Sequence, residues 1–254
     1  MPGGSGRAED PARTIALLWG TQEPPRRGPR HRLTSIGVVD TAISVADADR
    51  GLQTLTMRRV ADELGVATMS LYTYVASRSS LIEAMVDRTC GEVVAELAAA
   101  PANGWREGVR RIAAANRAAY RRHPWLVEVA GGRPTLGPHA LEKYDLELRV
   151  LDGIGLDDVA MDAALTLVLD HVAGTARRES ESERTVRRTG LSDAQWWESV
   201  GPLLAEVVEP GRFPTAERVG TSAGQAHQAP YDPDHAFAFG LDRILDGLAA
   251  LLDT

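Results

Sequence analysis

The sequence has little cysteine, lysine or aromatic content and no long apolar run. Cys90 is the only cysteine, so a disulfide or a cysteine-rich metal site within one chain is excluded. No apolar run approaches the length of about 18 residues that a membrane span needs, and the first residues lack the apolar stretch of a signal peptide. Aromatic residues make up 5% of the chain, whereas alanine and leucine abound, which favours helices over strands. We therefore expect a helical, cytoplasmic protein with no membrane partner.

Charge is distributed unevenly along the chain, whose formal net charge is −7. Residues 24–80 carry eight arginines against five acidic residues, whereas residues 91–254 carry 17 basic against 25 acidic residues. A small basic end beside an acidic remainder is typical of a DNA-binding unit attached to a domain that does not bind DNA. Four of the arginines lie in the proline-rich stretch QEPPRRGPRHR at 22–32. We expect this arm either to contact DNA or to serve as a solvated linker.

Residues 55–78, LTMRRVADELGVATMSLYTYVASR, contain two short helical patterns that meet at Gly65. In the first pattern, apolar residues recur on one helical face, and Ala61 supplies a small side chain where a second helix could cross. The second pattern, over 67–74, is rich in hydroxyl side chains, which suit contacts with base edges and phosphates. The stretch predicts a helix-turn-helix, and a plain helical hairpin with surface hydroxyls is the alternative.

Ile36 to Met85 resemble the DNA-binding domain of the TetR family of transcriptional regulators. The segments that carry this resemblance are LTMRRVADELGV, ATMSLYTYV and ASRSSLIEAM. The resemblance implies that the second short helix reads DNA and that the following helix, from about Ser77 to Ala99, links two domains. The DNA contacts that it implies come from Thr56, Arg58, Thr68, Met69, Ser70, Tyr72, Thr73, Tyr74 and Arg78.

The predicted fold class is all-α, with an N-terminal three-helix helix-turn-helix domain and a C-terminal helical domain for ligand binding and dimerisation. We place a flexible arm with its Arg-rich linker at 1–32, the DNA-binding domain at 33–80 and the regulatory domain at 81–254. The apolar stretch TIALLWG, at 14–20, is expected either to dock as a helical turn or to be a loose tail. The charged stretch 179–190 and the Gly/Pro-rich stretch 210–234 are predicted to be loops.

The last helix, HAFAFGLDRILDGLAALL, has a broad apolar surface that predicts a dimer interface together with residues 159–175. The interface residues on this helix are Phe237, Leu241, Ile244, Leu248 and Leu251. A fully buried monomer core is the alternative. The segments FAFGLDRILDGLAAL, NGWREG, RHPWLVEV and GRFP are similar to one branch of TetR regulatory domains, which implies a regulatory role for this half.

Ligand-binding residues are harder to identify, because the candidates are isolated aromatic or polar residues within apolar helices. They are Tyr120, Trp125, His171, Trp196 and Trp197. A histidine on an apolar face such as that of His171 is more often a core residue with satisfied hydrogen bonds than a ligand contact. The tetracycline–metal site of the family is not recognisable, so we predict neither a metal nor a cofactor.

No catalytic motif occurs, so catalytic residues are not expected. The sequence predicts a homodimeric regulator, released as a repressor from a palindromic double-stranded DNA operator by a small-molecule effector. A TetR-like activator or a regulator without a ligand is the alternative, and an all-helical enzyme is a remote one.

Overall fold

The computed structural model describes residues 10–22, 33–99, 103–209, 211–227 and 231–252, and all regular secondary structure in these ranges is helical. The helices are α1 (Pro11–Leu18), α2 (Ser35–Asp49), α3 (Met57–Leu64), α4 (Thr68–Leu71), α5 (Arg78–Ala98), α6 (Trp105–Arg122), a 3-10 helix (Pro124–Glu128), α7 (Pro138–Arg149), α8 (Asp158–Thr189), α9 (Asp193–Val207), α10 (Pro214–His227) and α11 (Pro233–Leu252). The predicted all-α class is confirmed. The predicted arginine contacts of the N-terminal arm lie outside the described residues.

Hydroxyl side chains determine where the helices of the N-terminal half begin. Thr34, Thr56 and Ser77 precede α2, α3 and α5, and each accepts a hydrogen bond of 3.0–3.1 Å from the backbone N–H three residues later. Such caps satisfy backbone donors that have no partner inside the helix. The C-terminus of α2 is closed by Arg50, whose backbone lies in the left-handed region with φ 52°. Local side-chain and backbone geometry therefore fixes these helix ends.

The apolar stretch 14–20 forms the second half of α1 and the residues after it, and α1 packs against the protein. Leu17 of α1 is buried, and the hydroxyl of Thr14 lies 2.8 Å from that of Ser80 at the start of α5. The indole N–H of Trp19 donates a 3.0 Å hydrogen bond to the carbonyl of Leu136, in the loop before α7. Contacts in the middle of α1 and at its C-terminal end therefore hold it against the protein, and the alternative of a loose tail is wrong.

Two predicted loops are helical instead. The stretch 179–190 continues α8 to Thr189, where Arg187 lies 3.7 Å from Glu183 one turn earlier. Ion pairs at this spacing stabilise helices, so a high charge content did not imply a loop. Within 210–234, α10 begins with Pro214, a residue whose fixed φ suits the first helical turn.

The chain divides into two compact units, Met1–Thr166 and Leu167–Thr254. The core of the first unit joins α2, α3, α4 and α5 to Trp125 of the 3-10 helix. Helices of the predicted regulatory domain thus pack against the DNA-binding helices. The boundary after residue 80, which separates the DNA-binding domain from the regulatory domain, stays a prediction.

The N-terminus of α7 is capped by α5 and not by its own residues. Asp87 accepts a 2.9 Å hydrogen bond from the backbone N–H of Ala140, and its second oxygen lies 2.8 Å from Nδ1 of His139. The carboxylate occupies the space where a side chain at position 137 would begin, so only Gly137 fits there. Asp87 therefore fixes the position of α7 on α5.

Candidate nucleic-acid interface

The turn between α3 and α4 is closed by local hydrogen bonds and a small buried residue. Gly65 takes φ 67°, a left-handed conformation that favours glycine. The N–H of Val66 then reaches the carbonyl of Ala61 at 3.0 Å. Ala61 is fully buried, as are Leu71 and Val75 on the other side of the turn. This packing holds the two helices at a fixed angle, as a helix-turn-helix requires.

The second helix of the motif is shorter than predicted, because α4 ends at Leu71. The N–H groups of Tyr74 and Val75 both donate to the carbonyl of Leu71, so one further turn follows. Thr68 and Tyr74 are half-buried, and Tyr74 packs against the core. Thr56 is exposed at the start of α3. The other predicted contact residues on this segment form its exposed outer face: Met69, Ser70, Tyr72 and Thr73.

The two predicted arginine contacts have different surroundings. Arg58 is almost fully exposed, and its Nε lies 3.8 Å from Asp62, a weak surface pair. Arg78 instead donates hydrogen bonds of 2.7 and 2.5 Å to the carbonyls of Leu55 and Leu52. The guanidinium of Arg78 therefore supports the loop before α3. A phosphate contact from either residue stays a prediction.

The 3-10 helix packs against the DNA-binding helices and forms hydrogen bonds with them. Trp125 is fully buried in the core, and its indole N–H donates a 2.8 Å hydrogen bond to Asp47 of α2. Three residues further on, Glu128 accepts a 3.2 Å hydrogen bond from the backbone N–H of Leu52. The helices of the regulatory region thus contact the DNA-binding helices through both apolar packing and directed hydrogen bonds.

A buried histidine extends this contact to α5. Nδ1 of His123 lies 2.9 Å from Asp47, and Nε2 lies 3.2 Å from Glu92. Since both ring nitrogens face carboxylates, only the doubly protonated ring can donate to both. Burial acts to raise the pKa of Glu92, but hydrogen bonds from His123 and Arg122 outweigh it and lower that pKa. We call Asp47, Glu92, His123 and Trp125 the Trp125 clamp.

The predicted ligand residues do not share one compact unit. Tyr120 and Trp125 belong to the first unit, and His171, Trp196 and Trp197 to the second. Trp196 and Trp197 are exposed on α9, with ring centroids 6.1 Å apart. Trp125 fills the core and its only polar group is already bonded, so its structural role is evident. Effector contact by these residues stays a prediction.

His171 is half-buried, and its ring contacts are made within the protein. Its Nε2 is 2.9 Å from the carbonyl of Phe237, and its ring stacks on the Phe237 ring at 5.7 Å. A side chain larger than hydrogen at Gly240 would overlap the imidazole. Gly240 therefore lets α11 approach α8 of the same chain closely at His171.

One buried polar cluster, between α6 and α7, was not predicted from the sequence. The amide of Asn116 on α6 donates a 2.7 Å hydrogen bond to Glu147 on α7, and the ammonium of Lys143 donates one of 2.8 Å to the same carboxylate. Glu147 is almost completely buried, so these bonds offset the cost of its charge. The available signals were a polar residue on the apolar face of α6 and the four-residue spacing of Lys143 and Glu147.

Neither a reactive thiol nor a metal cluster is evident. Burial, aided by nearby Asp87 and Glu147 and opposed by Lys143, raises the pKa of Cys90 to about 11, which keeps the thiol protonated at neutral pH. In the described parts of the chain, no group of three or more histidine, cysteine, aspartate or glutamate residues is placed to hold a metal ion.

A buried turn, a short second helix with an exposed polar face and a helical remainder define a helix-turn-helix DNA-binding regulator. Residues 97–252 match the family described as "Tetracyclin repressor-like, C-terminal domain". The chain belongs to the TetR family of transcriptional regulators. This membership confirms the resemblance and the expectation of a regulator instead of an enzyme.

Relatives extend over nearly the whole chain. The "HTH-type transcriptional repressor DrrR1" of Streptomyces coeruleorubidus is 42% identical and is matched over 98% of this chain and 93% of its own. Apo ActR from Streptomyces coelicolor, a solved structure, is 28% identical with a TM-score of 0.70, over 88% of this chain and 100% of ActR. The complex of ActR with actinorhodin is 26% identical with a TM-score of 0.71 and the same coverage.

Arg58 provides a direct test of the interface. Replacing Arg58 with Ala should reduce the slope of log binding constant against log salt by about one for each DNA-binding head, because one released counterion corresponds to one phosphate contact. Arg149→Ala is a suitable control, since Arg149 is an exposed arginine on α7 that pairs with Asp145. A weaker affinity with an unchanged salt slope would show that Arg58 does not contact phosphate.

Proposed function

We propose that this protein is a homodimeric repressor that binds a palindromic operator and leaves it when a small molecule occupies the helical region 97–252. The observation that carries the proposal is the outer face of the segment 68–74, where four polar or flexible side chains are exposed on a rigid, buried base. A rigid base lets such a face select a DNA sequence, because little side-chain and backbone order is lost on binding.

Relatives support the repressor and the effector. DrrR1 is named a transcriptional repressor, and ActR has been solved with actinorhodin and with (S)-DNPA. We infer that an effector of this protein acts through the Trp125 clamp, because the clamp joins the helices of 97–252 to α2. A coupling of about 1–3 kcal/mol would lower operator affinity by roughly 5- to 150-fold.

The dimer that we propose uses one side of α11. Leu241 and Leu248, two of the predicted interface residues, are only 5% exposed and pack inside the protomer. Ile244, Gly247 and Leu251 recur at three- and four-residue spacing on another side, where Leu251 is 63% exposed. A side chain begun at Gly247 would meet no described atom within 4 Å outside its own helix backbone. A second copy could approach closely along this strip, and the two-fold axis would give two DNA-binding heads.

We place the protein in the cytoplasm, where its DNA is. By length and composition α8 alone among the described helices could span a membrane, and a third of its apolar window is buried within the protein. Core helices of soluble proteins meet the same criteria, so α8 does not argue for a membrane partner.

DNA selected from a random pool tests the function. We expect a two-fold symmetric consensus whose half-sites lie roughly 34–36 Å apart. Tyr72→Ala should weaken binding to that DNA by about 1 kcal/mol or more for each head, whereas Tyr144→Ala, at an exposed tyrosine on α7, should not. The proposal would be wrong if no sequence were enriched. A footprint upstream of the regulated promoter, not overlapping it, would indicate an activator.

A larger side chain at Gly247, in the middle of the exposed strip on α11, tests the proposed dimer. Gly247→Leu should leave the protomer folded, because none of the residues that the structure describes occupies that space, but should separate the dimer by blocking close helix approach. Gly220→Leu, at an equally open helical glycine on α10, is the control. Light scattering should give the monomer mass for the first variant only. An unchanged dimer mass would refute this interface.

A further inference from the structure

A cleft beside α1 is not used by the proposed repressor mechanism. It lies between α1, the start of α2 and the first half of α5, and its volume is about 440 Å³, within the usual range for small-molecule sites. Every lining residue except His139 precedes residue 97, so the cleft is separate from the region to which we assign the effector. We call it the α1 cleft.

The walls of the α1 cleft are preformed. The contacts of Thr14 with Ser80 and of Trp19 with Leu136 fix α1, and the cap at Thr34 fixes the start of α2. A site with fixed walls needs little ordering when a ligand enters, which favours binding.

Two large apolar side chains that line the cleft, one beside α1 and one on α2, remain partly open to solvent. Ile36 of α2 is 65% exposed and Trp19 is 48% exposed, and both line the cleft together with the buried Leu17 and Val39. A flat apolar body between Trp19 and Ile36 would remove much of this surface from water and could stack on the indole ring.

Arg88 supplies the hydrogen-bond donors for an anion at the α5 side of the cleft. Arg88 donates through Nε to Asp40 at 3.0 Å, and its two terminal nitrogens have no partner in the described ranges. His139 lies beside it and uses only Nδ1, toward Asp87. Both oxygens of Asp87 are already occupied, by His139 and by the N–H of Ala140. The terminal nitrogens of Arg88 are therefore the donors that an anion in the cleft can reach, while Asp40 partly neutralises the charge of this guanidinium.

We propose that the α1 cleft is a second small-molecule site, for a planar aromatic carboxylate. The aromatic rings lie between Trp19 and Ile36, and the carboxylate accepts hydrogen bonds from the terminal nitrogens of Arg88. Because the cleft includes the first residues of α2, its ligand contacts the DNA-binding helices directly and not through the Trp125 clamp.

Calorimetric titration of the full chain with 1-naphthoate tests this site. We expect saturable binding that Arg88→Ala weakens by about ten-fold or more, since a charge-assisted hydrogen bond is lost. Ile36→Asp should abolish the same binding, and its exposure means that the fold should persist, which circular dichroism would verify. The neutral analogue 1-naphthalenemethanol should bind the wild-type protein more weakly than the acid.

Arg149→Ala should bind 1-naphthoate as the wild type does, because Arg149 pairs with Asp145 away from the cleft. The proposal is overturned if the wild type shows no saturable binding up to the solubility limit. It is equally overturned if Ile36→Asp and Arg88→Ala bind 1-naphthoate as tightly as the wild type, because the ligand would then occupy another site. Neither result bears on operator binding, which is measured separately.

Discussion

The packing of Trp125 against the DNA-binding helices is the interaction on which the rest of this structure depends. A tryptophan from the regulatory region completes the core of the helix-turn-helix, so the two cannot separate without exposing a large apolar side chain and breaking its bond to Asp47. His123 adds a buried link between Asp47 and Glu92. The exposed face that we propose to read DNA is thus supported by the helices that, in the same proposal, respond to the effector.

Other contacts extend this constraint through the regulatory helices of the first compact unit. Asp87 caps α7 from α5, and Asn116 joins α6 to α7 through the buried Glu147. Each of these contacts links two helices through a buried carboxylate, whose charge is costly unless its partners stay in place. A ligand that moved α6 or α7 would therefore have to break a contact or move α5 with it. Such all-or-none contacts are what a two-state switch requires.

Local signals made the DNA-binding unit predictable, whereas contacts between distant segments left no trace in the sequence. Thr56 caps its own helix through a residue only three positions away. The partners Asp47 and Trp125 are 78 residues apart, and the sequence does not reveal their hydrogen bond, because an isolated aromatic residue does not identify its neighbours. The apolar stripe on α11 did not show which of its residues pack inside the protomer and which stay accessible to a partner. Leu248 is buried, whereas Leu251 is exposed. The DNA contacts themselves stay predictions, because they depend on a partner that the chain alone does not specify.

A double-mutant cycle on operator binding tests the central claim most directly. Asp47→Ala and Trp125→Phe each remove the hydrogen bond between α2 and the 3-10 helix, and Trp125→Phe keeps an aromatic ring in the core. If the Trp125 clamp positions the DNA-binding helices, each variant should weaken operator binding, and their effects should be coupled by about 0.5–3 kcal/mol. Strictly additive effects, or operator affinities equal to that of the wild type in folded variants, would contradict the account.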